Sequence, residues 1–154
     1  MKGNDEVLRL LNEALTAELT SINQHYVHAK MCENWGFGAL ASKHREVSIR
    51  EMKNADKIIE RILLLEGVPN LQRYDALTVG ENPAEQIASD LVRDQAIQKH
   101  LNDAIASCVG HGDNGTRELL EDLLIGHEEH IDWLETQQHL ISTLGAKGYL
   151  AERM

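Results

Sequence analysis

The sequence predicts an all-α four-helix bundle with one long crossover and a short C-terminal helix, and three observations carry that expectation. Both prolines of the 154 residues, Pro69 and Pro83, fall in one short region, leaving 68 residues before it and 71 after it without that helix breaker. Apolar residues recur at three-four spacing through both halves. No run alternates with the period of two that a half-buried strand requires.

The helices follow in order. Asn4 can cap the first, spanning about residues 4–35, and Trp35-Gly36-Phe37-Gly38 supplies the permissive residues of a tight reversal. The second runs over about 39–66 and is ended by Gly67-Val68-Pro69-Asn70. The segment from there to Gly80 is too broken for a helix and too long for a turn, so it must cross the bundle. Asn82-Pro83-Ala84-Glu85 places a capping Asn before Pro at the first helical position and Glu at the third, opening a third helix over about 83–109. Asp113 or Asn114 can cap the fourth, about 114–144, and a short tail helix over 146–152 contains Gly148, which weakens it. Short loops make antiparallel pairs, and the long crossover joins the two pairs into a single domain over 1–154.

Composition removes several functions. The net charge is −10 and only six residues are aromatic, against the basic stripes and stacking rings that nucleic acid rewards, and an anionic membrane surface is equally disfavoured. No window approaches the roughly 18 apolar residues of a membrane span. The start, Met1 to Glu6, lacks the apolar core of a signal peptide, so a cytoplasmic location is expected. Cys32 and Cys108 form neither a metal-type pair nor a disulfide framework and are expected to be reduced fillers.

Each apolar seam is interrupted near its middle. Helix one reads Leu8, Leu11, Leu15, Glu18, Ile22, His25, Ala29; helix two reads Val47, Glu51, Asn54, Ile58, Ile62, Leu65. Helix three reads Ile87, Leu91, Asp94, Ile97, Leu101, and helix four Leu120, Leu123, His127, His130, Leu134. Glu18 and Glu51 are 33 residues apart, as are Asp94 and His127, while Glu51 to Asn54 and His127 to His130 are both 3. Equal spacing across one reversal sets these side chains at one height, facing one another. Unpaired buried charge costs several kcal/mol by general estimate, so the cluster calls for protons or a metal. Di-iron carboxylate bundles use one Glu from each of two helices and Glu-x-x-His from each of the others. Here Glu18 keeps that pattern, Asp94 shortens it, Asn54 has lost an imidazole, and His127 replaces a carboxylate.

The strings INQHYVHA from Ile22, NWGF from Asn34, EMKNADKIIERILLLEGVPNLQ from Glu51 and EEHIDWLET from Glu128 resemble the bacterioferritins from end to end. That resemblance implies a ferritin-like fold, iron storage in a hollow shell of twenty-four subunits, and haem b between the members of each subunit pair. It implies Met52 as the axial haem ligand, with Leu19, Ile22, Tyr26 and Ile49 as pocket wall. Residue geometry adds that Met52 lies about 100° of helix rotation from Glu51, on a separate apolar stripe that needs a second partner.

The substitutions bear on the chemistry. A carboxylate can bridge two irons because it has two oxygens to share, whereas an imidazole cannot. The set Glu18, Glu51, Asp94, His127, His130 and Asn54 has one anion fewer than the family pattern and one weakly liganded position, so weak ferroxidase activity is expected. One divalent ion, zinc or iron, could still bind. The leading expectation is a haem-holding subunit that co-assembles with a ferroxidase-competent one and receives electrons from a reductase or ferredoxin. The alternative is a homopolymer that oxidises Fe²⁺ to Fe³⁺ with O₂ at a rearranged site, with His25 or Glu129 moving in.

Overall fold

The computed structural model describes all residues, 1–154. Four helices make the fold: α1 (Asp5–Trp35), α2 (Gly38–Leu64), α3 (Pro83–Gly110) and α4 (Asn114–Ala151). The main packing pairs are α1 with α2 and α3 with α4, followed by α1 against α3. No helix is long and apolar enough to cross a membrane.

The helix ends are set by local chemistry. The Asn4 side chain accepts from the Glu6 and Val7 N–H groups, Asn82 caps Glu85, and Asp113 caps Thr116. Gly36 takes the left-handed conformation (φ 86°) that closes α1, with Phe37 N–H donating back to the Cys32 carbonyl. The second helix ends two residues short of the expected Glu66. Its left-handed residue is Glu66 itself (φ 61°), while Gly67 donates to the Ile62 carbonyl at 2.9 Å. Gly67 packs closely instead: a Cβ there would stand 2.6 Å from Leu8 Cδ2 and 3.0 Å from Ile62 Cγ2, so the Leu8 side chain would have to shift. In α4, Gly145 (φ 74°, ψ 161°) breaks the helical path, and the tail beyond it packs back through buried Tyr149, whose hydroxyl donates to Gln137 Oε1 at 2.7 Å.

The crossover lies along α1 and is held by polar side chains spaced along that helix. Asn12 donates to the Val68 carbonyl and accepts from Asn70 N–H. Further along, Thr20 accepts from Asp75 N–H, Gln24 from Thr78 N–H, and His28 Nε2 from Gly80 N–H. The extended backbone thus meets its hydrogen-bond requirement without a sheet.

Two apolar clusters fill the bundle. One joins Leu11, Leu15, Ile58, Ile62, Leu101 and Leu120, and the other joins Cys32, Leu40, Ile87, Leu91, Ile131 and Leu134. Both cysteines are free and buried. Between the clusters sits a buried polar layer containing Glu18, His25, Glu51, Asp90, Asp94 and His127. The candidate site occupies that layer.

Candidate metal centre

His127 is the hinge of the layer. Its Nε2 lies 2.6 Å from Glu18 Oε1 and its Nδ1 3.0 Å from Asp94 Oδ1. With both carboxylates ionised each only accepts, so in that state both ring nitrogens carry hydrogen and the ring is an imidazolium. Burial alone would lower the His127 pKa, yet Glu18 and Asp94 raise it well above the ordinary value. Burial in turn holds Glu18 and Asp94 above the usual carboxylate range, against the pull of His127.

Glu51 completes the group from α2: ligand atoms of Glu51, Asp94 and His127 all lie within 4.8 Å of one another. Neither Glu51 oxygen has a hydrogen-bond partner, nor do Glu18 Oε2 and Asp94 Oδ2. Burial pushes the Glu51 carboxyl up, but the neighbouring His25 and His127 outweigh it and hold it below its usual value. The His130 ring stacks on Trp133 (5.6 Å between centroids) and brings Nε2 to 3.8 Å from Asp94 Oδ2, with both ring nitrogens unpartnered. Burial, helped by His25, pushes the His130 pKa down to about 2, leaving a neutral ring with free lone-pair capacity. Asn54 is buried one turn beyond Glu51.

Glu18, Glu51, Asp94 and His127 are thus brought together, with His130 at their edge. The donors are hard carboxylate oxygens and neutral imidazole, a set that suits Fe²⁺ or Zn²⁺. Their orphaned buried oxygens fit a cation.

Three participants were not picked out in the sequence. His28, His44 and Asp90 are buried at the next layer toward the α1–α2 turn, and His25 connects the layers, its Nδ1 3.5 Å from Glu51 Oε2. Burial would lower His25, but Asp90 and Glu51 raise it to about 10; burial drives His44 down to about 3. Asp90 would be raised by burial, yet His25 and His28 hold it well below the carboxylate range. A signal for this layer exists in the numbering. His25 is seven residues after Glu18 and His44 seven before Glu51, so one reversal places both at one height. Glu129, expected as a replacement ligand, is solvent-exposed and points away from the buried layer, because position 129 falls off the α4 seam that carries His127 and His130.

Met52, Tyr26 and Ile49 stand on the outer face of the α1–α2 pair, 55%, 58% and 47% exposed, while Leu19 and Ile22 on α1 are partly buried and packed against the core. The structure therefore separates them from the polar layer and leaves an uncovered apolar stripe.

A crossed-over bundle with carboxylate and imidazole ligands projecting inward from all four helices is the arrangement of the ferritin-like proteins, and the ferritin-like domain family matches residues 8–144. The bacterioferritin of Mycobacterium leprae (strain TN) is 47% identical over 152 residues, covering 99% of this chain and 96% of that protein. The bacterioferritin of Rhodobacter capsulatus is 45% identical over 149 residues, 97% and 92% of the two chains, and that of Brucella melitensis biotype 1 is 40% identical over the same span. The chain belongs to the ferritin-like family, on its bacterioferritin branch.

Proposed function

We propose that the chain stores iron as a subunit of a bacterioferritin shell, holds haem through Met52, and has weak ferroxidase activity of its own. Likeness to bacterioferritins over nearly the whole length supports the storage role. The observation that carries the ferroxidase reading is the His127 bridge. Where two irons would share a carboxylate, this chain offers a ring whose two nitrogens are already committed to Glu18 and Asp94. Loading Fe²⁺ there first requires loss of the His127 proton, and oxidation then adds positive charge to a site with one anion too few. The remaining ligands, Glu51, Asp94 and His130, suit one divalent ion better than two.

The haem reading rests on the exposed stripe. An uncovered thioether at Met52 between apolar neighbours fits a soft axial ligand at an interface between two copies of this chain. Bound haem would supply one-electron chemistry, delivered by a reductase or ferredoxin to the stored mineral. The chain's own residues would provide the thioether and exclude water with Leu19, Ile22, Tyr26 and Ile49. In the cell, a second subunit type with intact Glu-x-x-His pairs would supply the oxidation. Cytoplasmic location and a shell of twenty-four subunits complete the reading.

A second reading is favoured by one distance. His25 Nδ1, 3.5 Å from Glu51 Oε2, stands where it could replace the imidazole missing at Asn54 and restore an active homopolymer. Rapid mixing of Fe²⁺ and O₂ with the single-chain shell, with haem read from the same sample's visible spectrum, separates the two. Oxidation near the protein-free rate, gained on combining N54H, D94E and H127E, supports the first. A fast two-iron step in the unmodified chain overturns it.

A further inference from the structure

We propose that His25 Nε2, His44 Nδ1 and Asp90 Oδ2 form a second metal site, separate from the Glu51, Asp94 and His127 group, for a divalent first-row transition ion with water completing its coordination. The three side chains come from α1, α2 and α3, are 1%, 2% and 0% exposed, and have ligand atoms within 4.8 Å of one another.

The geometry is that of a cation's ligand shell. Asp90 Oδ2 lies 3.6 Å from His25 Nε2 and 3.5 Å from His44 Nδ1, beyond good hydrogen-bond length. Metal–ligand bonds of about 2.0–2.2 Å at tetrahedral angles put neighbouring ligand atoms roughly 3.3–3.6 Å apart. Neither His25 Nε2 nor His44 Nδ1 has a hydrogen-bond partner, so two buried polar nitrogens face one carboxylate oxygen with nothing bonded between them. Leaving such groups unpaired carries their full desolvation cost, which an ion would recover.

Surrounding residues hold two of the three ligands, His25 and Asp90, as supporting residues do around metal-bound imidazoles. His25 Nδ1 donates to the Ser21 carbonyl at 3.0 Å, which turns Nε2 toward Asp90; an ion there takes the place of the Nε2 proton. Asp90 is gripped through its other oxygen by Gln24 Nε2 at 2.8 Å. His28 accepts from Gly80 N–H at Nε2, so its Nδ1 carries the hydrogen and donates to the Asp90 carboxylate, 3.1 Å from Oδ1 and 3.3 Å from Oδ2, an oxygen with a second lone pair left for an ion. Gln24 is fixed in turn by Thr78 N–H and Arg93 Nε. Two imidazoles and one carboxylate suit Zn²⁺ and Fe²⁺ and disfavour Mg²⁺ or Ca²⁺, which take all-oxygen shells.

The test uses Zn²⁺ alone on chelator-stripped, assembled full-length protein. Equilibrium dialysis should show H44L binding about one Zn²⁺ per chain fewer than the unmodified protein, with H127Q still holding the His44-dependent ion. Circular dichroism and shell size check that H44L is folded. A crystal of the unmodified protein grown with Zn²⁺, measured at the zinc absorption edge, should show an anomalous peak between the three side chains and decides the matter if H44L does not assemble. Equal zinc uptake by folded H44L and unmodified protein, or no peak among the three residues, would overturn the proposal. Loss of the ion in H127Q with the His44-dependent ion intact would bear on the first centre only, so the two readings fail separately.

Discussion

Replacing His127 by Gln removes the imidazolium that pairs directly with both Glu18 and Asp94. The side chains of all three are at most 1% exposed, and the two ion pairs that the substitution breaks are 2.6 and 3.0 Å long. Breaking a buried ion pair from one side costs about 3–5 kcal/mol, and because Gln keeps a donor for one carboxylate, H127Q should lose about 3 kcal/mol at pH 7.5. The pH dependence follows from the signs. His127 has a folded pKa raised above its unfolded value, so its contribution is complete below about pH 6.5 and is lost as pH climbs through the raised folded value. In the variant, Glu18 and Asp94 relieve their repulsion by taking up protons, and the destabilisation should shrink toward pH 5. Urea unfolding of chelator-treated protein, followed by circular dichroism at pH 5, 7.5 and 9.5, measures both effects. A destabilisation below about 0.5 kcal/mol, or one that is the same at all three pH values, would refute the assignment of charge to His127.

Three further outcomes are expected. In unmodified protein stripped of metal the depressed His44 and His130 contribute stability that is present above about pH 6.5 and falls away below it, while the contribution of His25 is complete only below about pH 6.5 and is gone once pH has risen through about 10; thermal melts across pH should therefore peak near pH 6.5. D113A removes the α4 cap together with the Arg61 ion pair at 2.9 Å, and should cost about 2 kcal/mol at neutral pH. Burial raises Asp113 but Thr116 and Arg61 hold it below its usual value, so the difference from unmodified protein in urea unfolding should disappear as pH falls from about 3.9 through the folded value. E66G relieves the left-handed strain at φ 61° and should raise stability by about 1 kcal/mol, read as a higher melting temperature; a lower one would mean that the Glu66 side chain matters more than its backbone.

Periodicity alone was enough for the helices and their seams. Leu11, Leu15, Val47, Ile58, Ile87, Leu101, Leu120 and Leu134, predicted to face inward, are all buried. The interruptions at Glu18, Glu51, Asp94 and His127 were legible for the same reason: a helix repeats every 3.6 residues, so a polar residue on the apolar stripe is visible in one dimension. The end of α2 was less so. The segment from Gly67 was expected to end the helix after Glu66, but the Schellman hydrogen bonds put the left-handed conformation at Glu66 and end the helix at Leu64, while a Cβ on Gly67 would press on the Leu8 and Ile62 side chains.

The sequence by itself determined that Glu18 stands level with Glu51 and Asp94 with His127, because reversal spacing is arithmetic along the chain. Only the tertiary structure decided which of them touch, that His127 is clamped at both nitrogens, and that His25, His44 and Asp90 converge one layer away. Position 90 lies beyond the crossover from positions 25 and 44, and relative height across a long irregular connection is set by packing. The hydrogen bonds of Asn12, Thr20, Gln24 and His28 to the crossover backbone fix that connection against α1. They, rather than any local pattern, bring Asp90 to the two imidazoles.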